Sequence, residues 1–64
     1  MKKVYANLLG TWIDITETGT LHNRNPLTYV DEEITEMFKY DYINVGYNNK
    51  NYRIHPMLIQ VVTE

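Results

Sequence analysis

Apolar residues along this chain change their spacing from two to four and back again. From Trp12 to Thr16 they alternate, with Ile13 and Ile15 on one side and Trp12, Asp14 and Thr16 on the other, the pattern of a half-buried strand. Gly10 separates this segment from the run Val4 to Leu9, as a turn or as a bulge bending one long strand. Turn formers then dominate from Glu17 to Leu27, which predicts the longest loop. Between Thr28 and Tyr40, Val30, Ile34, Met37 and Phe38 recur at i, i+4, i+7 and i+8, predicting a short amphipathic helix over 30–39. Thr28 with Asp31 three residues on has the layout of a capping box, and acids cluster in the first turns where the helix dipole favours them. A competing reading makes Leu27 to Val30 a strand leading into that helix. Alternation returns at Ile43, Val45 and Tyr47 and continues at Tyr52 and Ile54, across an Asn48-Asn49-Lys50-Asn51 tip. With Asn49 and Lys50 as the turn residues, Tyr47 faces Tyr52, Val45 faces Ile54 and Asn44 faces His55. Pro56 ends that strand for want of an N–H, and Ile59 to Val62 form a last one.

Strands near 4–9, 12–16, 41–47, 52–55 and 59–62 with one helix predict a mainly β (α+β) fold. The expected form is a five-stranded small barrel or curled antiparallel sheet in a single domain spanning 1–64. From Asp41 to Val62, a hairpin, a strand ending in Ile54-His55-Pro56, a tight turn and a short final strand follow one another. This succession resembles the SH3-like barrels, and the resemblance implies a barrel architecture. It carries over no ligand residues, because the paired Trp by which peptide-binding SH3 domains hold proline-rich ligands has no counterpart. The sole Trp is Trp12, in an early strand.

Size changes the picture. At 64 residues, without Cys, the chain buries only about 60% of its unfolded surface and has no disulfide to reinforce it. Dimerisation or docking on a partner is the remaining way to add buried area. The net charge of -2, with six scattered cations, lacks the basic footprint of a nucleic-acid binder. No apolar run approaches the ~18 residues of a membrane span, so no membrane association and a cytoplasmic location are expected.

Candidate chemistry is sparse. His55, across from Asn44 and beside Arg53, has no carboxylate or nucleophile in a recognisable constellation and reads as a contact residue rather than a base. His22 and Arg24 in the long loop could together meet a phosphate or carboxylate. No spacing gathers His22, His55, Asp14 or Asp41 into a metal site, and the isolated glycines form no phosphate loop, so neither metal, cofactor nor enzyme activity is expected. Glu32, Glu33 and Glu36 form the solvated helix side, or an acidic face for a basic partner. Trp12 points away from Ile13 and Ile15. It is expected beneath the helix stripe or, uncovered, at the centre of an interface with Tyr40 or Tyr42, including a homodimer. The expected function is a small non-catalytic module that binds another protein, similar in general appearance to phage and prophage accessory proteins that act on a host protein. The alternative is a nucleic-acid-binding small barrel using Arg24, Lys50, Arg53 and His55 with Tyr stacking platforms.

Overall fold

The computed structural model describes residues 1–64 of the chain. Strand β1 (Lys2–Leu8) turns back into β2 (Thr11–Asp14); β3 (Gly19–Leu21) follows, then helix α1 (Pro26–Met37), the hairpin β4 (Ile43–Tyr47) and β5 (Lys50–Ile54), a 3-10 turn (Pro56–Leu58), and β6 (Ile59–Thr63). These strands make two antiparallel three-stranded sheets, ordered β2-β1-β6 and β3-β4-β5. In the first, Val4 lies opposite Val61, and Ala6 opposite both Ile13 and Ile59, so these residues and Leu8 share the inward face. Leu21, Ile43 and Val45 of the second sheet and Tyr29, Val30 and Met37 of α1 complete one core with Val4, Ala6, Leu8, Ile15 and Ile59. Beyond the last strand pair, Met1 and Glu64 still join: the Met1 ammonium donates to the Glu64 carbonyl and the Glu64 N–H to the Met1 carbonyl, each at 2.8 Å.

The sheets do not form the expected five-stranded barrel or curled sheet, and the SH3-like resemblance over 41–62 does not hold. Two breaks keep the sheet from running on. After β2, the Thr16 hydroxyl accepts the Val4 N–H (2.8 Å) and donates to Asp14 Oδ1 (2.6 Å), closing a local turn where a continuing strand would need open backbone groups. After β5, Pro56 opens the 3-10 turn and the chain crosses to the far side of β1, so β5 and β6 belong to different sheets. The expected long loop also holds a strand, since β3 pairs with β4 through Gly19–Tyr47, Thr20–Gly46 and Leu21–Val45. Its approach needs glycine: a Cβ on Gly19 would stand 2.7 Å from Ile15 Cβ and 2.9 Å from the Gly46 carbonyl oxygen.

Three two-residue turns share one geometry. Leu9-Gly10, His22-Asn23 and Asn48-Asn49 all carry positive φ at both central residues, as type I′ turns require. Gly10 is therefore a hairpin turn and not a bulge. Placing the β4–β5 turn at Asn48-Asn49 shifts the expected register: Val45 faces Tyr52, Ile43 faces Ile54 and Asn44 faces Arg53. Asn tolerates the left-handed region at both positions and Lys50 does not, which decides between the two turns. The slip is even, so every apolar residue keeps its face.

Helix α1 starts four residues before the expected 30–39 segment. Asn25 is the cap, its side chain accepting the Thr28 N–H at 3.2 Å, and Pro26 fits the first turn, where an N–H would go unused. Asp31 is not a capping partner of Thr28 but pairs with Lys2 at 3.0 Å. The helix breaks at Glu33 (φ -131, ψ 24), leaving a regular first part of about seven residues. Past the break the apolar stripe no longer shares one face. Val30 and Met37 are buried, whereas Ile34 and Phe38 remain 41% and 55% exposed.

Candidate functional site

The local fold gathers three of the sequence-selected residues. The turn at His22-Asn23 is closed by two backbone hydrogen bonds between Leu21 and Arg24, each 2.9 Å. It projects the His22 ring between two tyrosines, stacked on Tyr29 (5.4 Å between centroids, 27° between planes) and tilted against Tyr40 at the same distance. Within the protein, His22 Nε2 is buried without a hydrogen-bond partner. Arg24 sits at 5.9 Å from the Tyr29 ring and bridges Glu32 and Glu33, with a 3.0 Å contact to Glu33. The hydrogen bond that Arg24 donates to Glu32 raises the guanidinium further above its already high range, and burial pushes the Tyr29 phenol up.

A second group lies on the outer face of the β3-β4-β5 sheet. Tyr42 has the same parity as Asn44, and Arg53 faces Asn44 from β5. The Arg53 guanidinium therefore comes over the Tyr42 ring, 3.9 Å from its centroid. The His22 N–H bonds the Asn44 carbonyl at 2.9 Å, which fastens the His22 turn to this same sheet. Tyr40 and Tyr42 are about half exposed. Both rings are thus held by a neighbour while a face or edge remains open to solvent.

The other selected residues are placed elsewhere. Trp12 lies opposite Asn7 on the outward face of the β2-β1-β6 sheet, 48% exposed, on the side away from α1; the expectation that the helix stripe covers it is incorrect. The stripe cannot reach it, because Val30 and Met37 pack on the inward face. His55 caps the 3-10 turn, its Nδ1 accepting the Met57 N–H at 3.1 Å, and its cross-strand position beside Asn44 is taken by Arg53. Glu36 pairs with Lys39 at 3.3 Å, so with Arg24 on Glu32 and Glu33 the acidic face carries paired charges rather than a free negative patch. No three His, Cys, Asp or Glu side chains converge as metal ligands, and no helix is long and apolar enough to cross a membrane.

Sequence reasoning missed a third region. Ile34, Met37 and Phe38 of α1, Met57 of the 3-10 turn, and Ile59 and Val61 of β6 line a shallow groove of about 310 Å³. Met57 is 70% exposed. The signal was present in the helix stripe, but regular periodicity hides a helix break, and Ile34 and Phe38 read as core.

Comparison of the chain with protein-family models, with curated proteins and with solved structures found no match, so the general likeness to phage accessory proteins receives no support from relatives.

Proposed function

We propose that this protein acts without catalysis as a binding module for another protein, and that Tyr40, Tyr42 and Arg53, braced by His22, form the contact surface. The Arg53–Tyr42 stack carries this reading. Tyr and Arg dominate the energetics of protein interfaces, and a guanidinium already laid on a ring loses little further freedom when a partner covers it. The His22–Tyr40 contact braces the neighbouring ring in the same way. Paired charges at Arg24, Glu32 and Glu33 give the surface a polar rim.

The nucleic-acid alternative has less behind it. Of its four contact residues, Arg24 is engaged by two carboxylates and His55 has its Nδ1 lone pair committed to the Met57 N–H. The other two cations form no ion pair, Arg53 lying over Tyr42 and Lys50 pairing across the strand with Tyr47.

The test is affinity capture from a lysate of the source cells with the wild-type chain and with Tyr42→Ala/Arg53→Ala. The expected result is a discrete protein retained by the wild type and reduced at least about tenfold by the double variant, at unchanged thermal melting. Equal retention by both chains would overturn this surface. Capture of salt-sensitive nucleic acid instead would favour the alternative.

A further inference from the structure

The strand β6 is one of the two edges of its sheet, β2 being the other. It pairs with β1 on one side, and no backbone hydrogen bond joins it to any other strand. Natural proteins protect such edges with Lys, Pro, a bulge or a covering element. The segment Ile59-Gln60-Val61-Val62-Thr63 has no charge and no Pro, and its five consecutive pairs with β1 leave no bulge. The groove lined by Ile34, Met37, Phe38, Met57, Ile59 and Val61 runs beside it. Gln60 lines the groove too and no residue of β1 does, which puts the groove along β6 and not over the middle of the sheet.

We infer that β6 is the seam of a homodimer, in which two copies pair β6 to β6 antiparallel and join their sheets into one six-stranded sheet, with the two grooves closing on each other. The symmetry makes the parts fit. Antiparallel pairing of identical strands places a two-fold axis perpendicular to the sheet, so both copies keep their helices on the same side. Each groove then lies next to its copy across the axis, and the exposed Ile34, Phe38 and Met57 side chains of one chain meet those of the other.

A register centred on Val61 sets Val61 against its own copy, Gln60 against Val62 and Ile59 against Thr63. The Val61–Val61 and Ile59–Thr63 pairs are β-branched on both sides, of the kind that stabilises sheets, and no like charges stand opposite each other. Charge also permits a second copy. The groove walls are uncharged and the nearby Glu36 and Lys39 neutralise each other, so identical faces do not repel, and nothing on this surface would recruit an acidic or basic ligand. This surface is separate from Tyr42 and Arg53, and either proposal can fail without the other.

Sedimentation of the full chain over a wide concentration range tests the seam. The wild type is expected to pass from monomer on dilution to dimer at high concentration, and Ile34→Lys/Phe38→Lys to weaken dimerisation at least about a hundredfold with an unchanged circular dichroism spectrum. Because both side chains are substantially exposed, the substitution leaves the core intact. Val62→Lys, on the strand but outside the groove, is expected to weaken the dimer as well, while Tyr42→Ala leaves it unchanged. Amides of residues 59–63 should exchange more slowly as concentration rises. A chain that stays monomeric throughout, or a dimer that survives both Lys variants, overturns the proposal. So does a dimer lost in Tyr42→Ala, which would move the seam to the aromatic surface.

Discussion

The Thr16 hydroxyl ties the beginning of β1 to the end of β2 by accepting the buried Val4 N–H and donating to Asp14. Thr16→Val keeps the shape of the side chain and leaves that N–H without a partner. Its expected cost is about 1–3 kcal/mol, read as a lower urea midpoint at unchanged slope. Asp14 gains from the same contact. The Thr16 hydroxyl first, then the Thr16 N–H and the nearby Lys3, hold its carboxyl below the ordinary value of 3.8. A lowered folded value means that this contribution to stability is complete above 3.8 and is lost as the pH falls through the folded value. Asp14→Asn should therefore flatten the fall of the melting temperature on acidification below that point; an acid profile parallel to the wild type's would show that Asp14 contributes nothing to it.

At the scale of elements, the turns carry more of the specification than the strands. All three two-residue loops need positive φ twice, yet Gly10 is the one glycine among their six central residues. Asn and His tolerate the left-handed region; Leu9 does not, and it stands there 91% exposed with no packing in return. Leu9→Asn is expected to raise stability by about 1 kcal/mol, visible as a higher melting temperature, whereas a decrease would mean that Leu9 packs on something in solution. The same chemistry explains what could be read in advance. Alternation located β2, β4, β5 and β6 because period two survives any register. It could not locate β3, whose three residues Gly19, Thr20 and Leu21 hold one apolar side chain and are positioned by the Gly19 backbone against Ile15. Helix periodicity located α1 but assumed it unbroken, and the break at Glu33 is what exposes Ile34 and Phe38. Of the candidate surface, the residue types were legible and their grouping was not. Tyr42 and Arg53 meet only once the Asn48-Asn49 turn sets the register, and His22 reaches Tyr40 only through a turn that resembled loop.

Across the whole molecule, the two sheets differ in how far apart in the chain their partners lie. Each sheet contains a hairpin closed by two residues, but in the β2-β1-β6 sheet β1 also pairs with β6 from the opposite end, out to the Met1–Glu64 bonds 63 positions apart. Closing a longer loop costs more entropy before any contact can offset it. The expected order of assembly follows from this: the hairpin forms early and β6 joins last, after the transition state. Val45→Ala, in the hairpin, should then slow folding, whereas Ile59→Val should mainly speed unfolding, and stopped-flow chevrons resolve the two limbs. A slowing of folding by Ile59→Val would place the ends of the chain in the nucleus instead. If β6 does join last, the neutral edge and its neighbouring groove exist only once folding is nearly complete, and a half-folded chain offers no such edge to another copy.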